Sequence, residues 1–307
     1  MSSLIEQAAR RLEQLKRAGV DVPDAAPRMS PAFRQDIATP PSVPAANPPE
    51  PPVTTSRSVT IDLDALAAAG IVSPNAPRSA IADQFRVIKR PLIANAIGKG
   101  ASVVQNGNLI MVTSALPGEG KSFTAINLAM SIATELDYTV MLVDADVARP
   151  SVLNRLNLPS SPGLLDLVLQ DSCDLSSVLL RTNVEKLTIL PSGTPHPRAT
   201  ELLASDAMTR LVEDIGTRYA DRIIIFDSPP LLLTTESRVL ATHMGQIVIV
   251  VKAEATLQSD VRNALATIEA CPVKLMMLNQ ATSSFKAGYG YGYGYGYGYG
   301  YGQETSK

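Results

Sequence analysis

The chain has 307 residues, 45% of them hydrophobic, which suits one or two domains with a sizeable core. Its formal net charge of −2 gives no support for nucleic-acid binding, so no nucleic-acid partner is expected. The two cysteines are far apart and lack metal-ligand spacing, which indicates a reduced pair in a cytosolic protein.

The first predicted element is an amphipathic helix over residues 1–20. Apolar side chains recur there at helical spacing between charged residues, at Leu4, Ile5, Ala8, Leu12 and Leu15. The segment lacks the apolar centre of a secretory signal. The sequence also lacks a run of about 18 apolar residues, so no membrane span is predicted. Docking onto its own domain or onto a partner is favoured over adsorption to a membrane.

Residues 21–78 are predicted to be a proline-rich linker. Twelve of the chain's 23 prolines fall there, and such a composition buries too little apolar surface to offset the entropy cost of ordering. One exception is the segment 59–72, "VTIDLDALAAAGIV", which is apolar enough to pack against the domain that follows. That domain is predicted over residues 79–285.

The domain begins with a predicted helix, "AIADQFRVIKRPLIANA", which is expected to kink at Pro91 because proline lacks a backbone donor. Helix-length segments such as 123–136 and 201–219 then alternate with six apolar runs: "NLIMVTS", "TVMLVDAD", "LTILPSG", "RIIIFDSPP", "QIVIVVKA" and "VKLMMLNQ". Such runs indicate parallel strands buried on both faces. The predicted fold class is α/β, with a doubly wound, mostly parallel sheet and ligand sites beyond the strands' carboxyl ends.

A phosphate-binding loop is predicted where "SALPGEGKS" follows the first strand of the domain. Glycine lets the backbone N–H groups turn towards an anion, Lys121 can reach the β and γ phosphates, and the Ser122 hydroxyl can bind Mg²⁺. The candidate nucleotide-binding residues of the loop are Pro117, Gly118, Glu119, Gly120, Lys121, Ser122 and Phe123. Ala115 stands where the usual P-loop pattern has glycine, so the motif is a deviant one.

Acidic residues end two further strands. Asp144 and Asp146 close "TVMLVDAD", and Asp227 closes "RIIIFDSP". Such a pair alone is more often a helix cap or part of a solvated loop, but directly after a P-loop helix it favours Mg²⁺ binding and general-base chemistry. Three acidic strand ends that face one phosphate loop predict a site for a nucleotide with Mg²⁺. Asn279, which ends "KLMMLNQ", fits either an adenine contact or a strand-end turn.

The last predicted segment is a flexible tail over residues 286–307. Tyrosine alternates there with glycine, which cannot build a core and keeps the chain flexible. The alternating tyrosines are Tyr289, Tyr291, Tyr293, Tyr295, Tyr297, Tyr299 and Tyr301.

These motifs resemble those of the bacterial tyrosine autokinases, or BY-kinases, of exopolysaccharide loci, over about residues 61–280 and the tail. "SALPGEGKS", "VMLVDADVARP" and "IIIFDSPP" are similar to that family's Walker A, second Walker A and Walker B motifs. "FRVIKRPLIANA" is similar to the stand-alone, exosortase-associated members. The resemblance implies a P-loop NTPase fold with deviant Walker motifs. It also implies an autokinase that uses ATP and Mg²⁺ to phosphorylate its C-terminal tyrosines in trans, which regulates exopolysaccharide polymerisation and export.

The resemblance also implies roles for single residues. Lys121 and Ser122 would hold phosphate and Mg²⁺, and Asp144 and Asp227 would organise the metal together with Ser122. Asp146 would be the base that faces the incoming phenol. Lys121 and the three aspartates are thus the candidate catalytic residues.

The partners that the resemblance implies are further copies of the chain, a membrane adaptor of the polysaccharide co-polymerase type and a protein-tyrosine phosphatase. The family's oligomerisation motif, Glu-x-x-Arg-x-x-Arg, corresponds here to Asp83, Arg86 and Lys89, which predicts a ring built on that helix. The implied localisation is cytoplasmic and peripheral at the inner membrane, through the adaptor.

Two other functions are compatible with a P-loop. A ParA/MinD-type positioning ATPase carries a further lysine five residues before the P-loop lysine, where this chain has Leu116. A scaffold that binds nucleotide without turnover would use the Tyr–Gly tail as an adhesive linker. The intact Lys121 and its three aspartates argue against the scaffold.

Overall fold

The structure, a computed structural model, describes residues 56–74, 79–170 and 173–281. Within these ranges eight strands form one sheet: β1 Arg57–Val59, β2 Leu109–Ser114, β3 Thr139–Asp144, β4 Leu180–Thr182, β5 Leu187–Leu190, β6 Arg222–Asp227, β7 Gln246–Lys252 and β8 Val273–Asn279. The order across the sheet is β1-β4-β5-β3-β6-β2-β7-β8, and only β4 and β5 pair antiparallel. The predicted doubly wound, mostly parallel α/β sheet is confirmed.

All six predicted strands are present, and the structure adds β1 and β4 at one edge of the sheet. These two strands are three residues long, with the sequences RSV and LRT. They are too short and too polar to show the apolar run that reveals a buried strand.

Helices cover both faces of the sheet: α1 Leu63–Ala68, α2 Ala80–Ala96, α3 Lys121–Ala133, α4 Val152–Arg155, α5 Leu164–Leu169, α6 Leu175–Val178, α7 Ala199–Leu203, α8 Asp206–Arg218, α9 Glu236–Ala241 and α10 Gln258–Ala266. Helix α2 is a single element that includes Pro91. The prediction of a single helix over 201–219 is wrong, because the structure has two helices there. Ser205 accepts a hydrogen bond from the Met208 N–H at 3.2 Å and caps α8 as a separate helix.

The strands alternate their side chains between two hydrophobic clusters. In β2, Leu109 and Met111 belong to one cluster, whereas Ile110 and Val112 belong to the other. Helix α3, which follows β2, is buried from Thr124 to its end. The loop between β2 and α3 is therefore anchored at both ends in the core.

The segment 59–72 lies within this folded unit. Ile61 and Leu66 are each 1% exposed. The Asn183 side chain accepts a hydrogen bond from the Ile61 N–H and donates one to the Ile61 carbonyl, at 2.8 and 3.0 Å. The Asn127 side chain accepts from the Val72 N–H at 2.7 Å and donates to the Phe123 carbonyl at 2.9 Å. Two asparagines thus join the segment to the sheet and to α3.

We expect Asn127→Ala to lower the free energy of unfolding by about 2 kcal/mol, because it leaves the buried Val72 N–H without an acceptor. Urea denaturation measures the loss. Asn263→Ala on the exposed side of α10 is the matched control and should change stability by less than about 0.5 kcal/mol. Equal stabilities for the two variants would contradict the anchoring role of Asn127.

The predicted helix at 1–20, the linker up to residue 55 and the tail at 286–307 lie outside the described residues. None of the helices in the described ranges is long and apolar enough to cross a membrane.

Candidate active site

The phosphate loop joins β2 to α3 and depends on two glycines with positive φ angles. Gly118 has φ of 81° and Gly120 has φ of 98°, a region that other residues rarely adopt. Gly120 is also the N-cap of α3, and a Cβ atom there would lie 2.1 Å from the Asn279 Nδ2. The loop and the positive end of the α3 dipole together form a site suited to phosphate.

Lys121 points from the start of α3 to the end of β3. Its Nζ lies 2.6 Å from Asp146 Oδ2, and the two side chains are only 15% and 5% exposed. The other oxygen of Asp146 accepts a hydrogen bond from the Arg149 N–H at 3.2 Å. The predicted phosphate-binding lysine and the predicted base therefore form a nearly buried ion pair.

Asp144 and Asp227 end the neighbouring strands β3 and β6 and are paired with each other in the register of these strands. Asp144 Oδ2 accepts hydrogen bonds from the N–H groups of Ser151 and Val152 at 3.1 and 3.0 Å. Burial and the neighbouring Asp227 charge raise the pKa of Asp144 to about 7. Burial raises the pKa of Asp227 to about 6, although the Lys121 charge opposes the shift. Asp144 thus supports the start of α4 while keeping a second oxygen for another partner.

The carboxylate oxygens left over fit a divalent cation. Asp144 Oδ1 and both oxygens of Asp227 are buried and have no hydrogen-bond partner among the described residues. Ser122, whose hydroxyl is the third predicted metal ligand, is 5% exposed. In the described ranges no three His, Cys, Asp or Glu side chains converge into a complete metal cage. Mg²⁺ usually takes one or two carboxylates from a protein together with waters and substrate phosphates, and the free oxygens of Asp144 and Asp227 could supply those carboxylates.

The side chain of Glu119 turns away from the phosphate site and holds the loop. It is 2% exposed and accepts hydrogen bonds from the Leu116 N–H at 2.6 Å, from the Thr256 hydroxyl and, more weakly, from the Lys252 N–H at 3.4 Å. Asn279 donates to the Glu119 carbonyl at 2.8 Å. The ends of β7 and β8 therefore support the loop from behind. An adenine contact of Asn279 stays a prediction.

We expect Glu119→Gln to weaken Mg-ATP binding about tenfold, because the amide puts an NH₂ donor opposite either the Leu116 N–H or the Lys252 N–H, which need an acceptor. Titration with a fluorescent ATP analogue measures the affinity. Thr256→Val should weaken binding by itself yet add little to Glu119→Gln, since both disturb the same hydrogen-bond network around Glu119. Glu269→Gln, on the exposed surface, is the control; additive effects would argue against a shared network.

A cleft of about 760 Å³ opens in front of the phosphate loop. Lys121, Ser122 and Asp146 line its floor, whereas Asp144 and Asp227 lie in the strand ends beneath it. Arg149 and Arg155 line the cleft as well. The remaining walls come from α7 and from the segment that joins β6 to α9, with Thr200, Glu201, Leu233 and Glu236 among their residues.

Comparisons with known proteins decide the family. A family model described as an AAA domain matches residues 107–280, more than half of the chain. The tyrosine-protein kinase YwqD of Bacillus subtilis is 31% identical over 67% of this chain and 83% of its own length. The chain belongs to the bacterial tyrosine-protein kinases.

Solved structures agree with this assignment of the kinase. The chimeric protein CapA2B2 is 29% identical, covers 69% of this kinase and 97% of its own chain, and superposes with a TM-score of 0.56. The kinase domain of VpsO is 27% identical, covers 66% of this kinase and all of its own chain, and gives a TM-score of 0.53. The resemblance found in the sequence motifs is confirmed, and the chain is a tyrosine kinase enzyme.

The predicted oligomerisation residues of the kinase lie on α2 in two different environments. Asp83 and Arg86 form an exposed ion pair with each other. Lys89 is 2% exposed, and its Nζ lies 2.7 Å from Glu135 and donates to the Ser131 carbonyl. The Lys89 ammonium lowers the pKa of Glu135. The charge of Lys89 is therefore satisfied within its own chain, and a ring contact through Asp83 and Arg86 stays a prediction.

Proposed function

We propose that this kinase transfers the γ-phosphoryl group of Mg-ATP to the tyrosines of its own C-terminal tail, in trans between copies of the chain. The observation that carries the proposal is the meeting of four groups at one cleft. A lysine and a nearly buried aspartate are paired there, beside two further carboxylates with unpartnered oxygens. Such a set can neutralise phosphate, hold Mg²⁺ and accept a proton, which are the tasks of phosphoryl transfer.

Each residue has a task in this reaction. When bound, ATP would supply the phosphoryl group, and Mg²⁺ would neutralise charge on the phosphates. Lys121 would bind the β and γ phosphates, and Ser122, Asp144 and Asp227 would hold the cation. Asp146 accepts the phenol proton as the tyrosine oxygen bonds to the γ phosphorus and the bond to the ADP oxygen breaks. The products are phosphotyrosine and ADP, with the proton on Asp146.

The ion pair between Lys121 and Asp146 links nucleotide binding to this proton transfer. While Lys121 contacts Asp146 at 2.6 Å, that carboxylate oxygen is already occupied. When Lys121 turns to the phosphates, Asp146 gains a free oxygen in the cleft. The base therefore becomes available only after ATP has bound.

The tail suits the role of acceptor and of switch. Its alternating glycines predict a chain flexible enough to reach another subunit, and its seven tyrosines offer equivalent acceptors. Each phosphate adds about −1.5 to −2 charges, so full modification loads roughly −10 to −14 onto the tail. Repulsion of that size opposes assembly into a ring. A protein-tyrosine phosphatase removes the phosphates and so allows the ring to assemble again.

The biological setting follows from the resemblance to autokinases of exopolysaccharide loci. We assign this kinase to the regulation of exopolysaccharide polymerisation and export. A membrane adaptor of the polysaccharide co-polymerase type brings the cytoplasmic chain to the inner membrane. The helix predicted at residues 1–20 is the candidate docking element.

Changing all seven tail tyrosines to phenylalanine tests this proposal. Wild type incubated with Mg-ATP should gain phosphotyrosine and shift to smaller oligomers, whereas the phenylalanine variant should do neither. An anti-phosphotyrosine blot and light scattering after size-exclusion chromatography measure the two effects. ATP hydrolysis without phosphotyrosine would indicate a positioning ATPase instead. An equal change of oligomer size in both proteins would exclude the tail as the switch.

A further inference from the structure

The segment between β6 and α9 is held firmly against the phosphate loop. The Thr113 hydroxyl donates to the Pro229 carbonyl at 2.8 Å. The Leu231 N–H donates to the Ser114 carbonyl at 2.9 Å, and the Leu231 carbonyl accepts from Arg238 Nε at 3.1 Å. The backbone of this segment therefore continues alongside the end of β2 in a fixed position.

This anchored segment presents one large apolar side chain to the cleft. Leu233 is 61% exposed and lines the same cleft as Lys121 and Asp146. Leu231, two residues earlier, is fully buried and fixes the direction of the segment. Pro117 of the phosphate loop is exposed and lines the cleft as well, and these two apolar side chains, Leu233 and Pro117, are called the ledge here. Because ligand sites are lined largely by apolar side chains, Leu233 offers a surface for an apolar group of a ligand that enters this cleft.

We propose that this ledge binds the phenol ring of the acceptor tyrosine and that Leu233 is a residue determining acceptor specificity. The inference rests on the proposed function and adds to it the place where the acceptor ring packs. With its ring against Leu233 and Pro117, a tyrosine directs its hydroxyl to the floor of the cleft, where Asp146 lies. A serine or threonine side chain has no ring to cover the ledge, which would favour tyrosine as the acceptor.

The composition of the tail fits such a ledge. Each tail tyrosine has glycine on both sides, so no neighbouring side chain competes for the apolar surface or collides with the cleft walls. The tail residues between Tyr289 and Tyr301 also carry no charge that would have to lose its hydration near the ledge. A second copy of this chain therefore supplies an occupant whose apolar part is the phenol ring alone.

The test separates the enzyme from its acceptor. The acceptor is the full chain with Lys121→Met, which keeps its tyrosines but lacks the phosphate-binding lysine. The enzyme is the full chain with all seven tail tyrosines changed to alanine, made with Leu233 intact and with Leu233→Ala. We expect Leu233→Ala to raise the KM for the acceptor about tenfold, with kcat and Mg-ATP affinity unchanged.

Two matched variants sharpen the result. Leu233→Met keeps an apolar side chain and should have a KM within about twofold of the parent enzyme. Leu136→Ala removes a leucine that is 87% exposed and lies beyond the far end of α3 from the phosphate loop, and it should change nothing.

An unchanged KM for the acceptor in Leu233→Ala would contradict the proposal that the ledge binds the phenol ring. A loss of Mg-ATP affinity alone would also contradict it, because Leu233 would then contact the nucleotide. The proposed function fails in a different way. In that case the enzyme with Leu233 intact would leave the Lys121→Met acceptor free of phosphotyrosine.

Discussion

Replacing Lys121 by methionine is expected to reduce tail phosphorylation by about a thousandfold. Lys121 is the only lysine among the described residues that line the cleft, and positioning with charge neutralisation supplies most of the rate in phosphoryl transfer. Methionine keeps a similar length but carries no charge. It also leaves Asp146, only 4% exposed, without its ion-pair partner.

Phosphotyrosine formation from radiolabelled ATP measures this loss, and circular dichroism checks that the variant is folded. Lys99→Met, on the exposed surface before β2, is the matched control and should keep wild-type activity. A Lys121→Met protein that makes phosphotyrosine at nearly the wild-type rate would remove Lys121 from the mechanism.

The second large effect is expected for Asp146→Asn, which should lower the rate of phosphotyrosine formation by about 10² to 10⁴ because a general base contributes that much. Its affinity for Mg-ATP should stay within a few-fold of wild type. Loss of the Asp146 charge frees Lys121 to bind the phosphates, which raises the affinity for Mg-ATP. The same loss removes a negative charge near the cation, which lowers that affinity, so the two effects largely cancel. Single-turnover kinetics with saturating Mg-ATP separates the chemical step from binding.

Asp227→Asn is the informative comparison for this variant. Both oxygens of Asp227 are buried without a hydrogen-bond partner among the described residues, so its loss should raise the Mg²⁺ concentration needed for half-maximal rate. Asp146→Asn should leave that concentration nearly unchanged. A rate only a few-fold below wild type in Asp146→Asn would point to another base or to none.

The main features of the sheet could be predicted because parallel strands buried on both faces are continuous apolar runs. "RIIIFD" and "QIVIVVK" show this pattern without ambiguity, and the structure places strands there. Their order in the sheet places Asp144 and Asp227 in the same register, which brings two predicted metal ligands together. The positions of these two candidate residues in the sheet could therefore be predicted from the sequence, while their roles stay a prediction.

Side-chain partners far apart in sequence were not accessible in this way. The Gly-x-Gly spacing of the phosphate loop gives no sign that Glu119 reaches Thr256, 137 positions away. Lysine is rarely buried, yet Lys89 lies on the buried face of α2, where Glu135 and the Ser131 carbonyl satisfy its charge. The division of 201–219 into two helices did have a signal, since Ser205 directly precedes Asp206 in the pattern typical of a helix start.

The order of the strands also bears on how such an enzyme can diversify. The five consecutive strands β3-β6-β2-β7-β8 carry, at or just after their carboxyl ends, Asp146, the segment that contains Leu233, the phosphate loop, Thr256 and Asn279. The register of these strands is set by the hydrogen bonds of one continuous sheet, so a change in the exposed part of a loop can leave the strands in place. Descendants of one ancestral nucleotide-binding chain could therefore change the acceptor by altering the segment after β6 alone, while inheriting the phosphate loop unchanged.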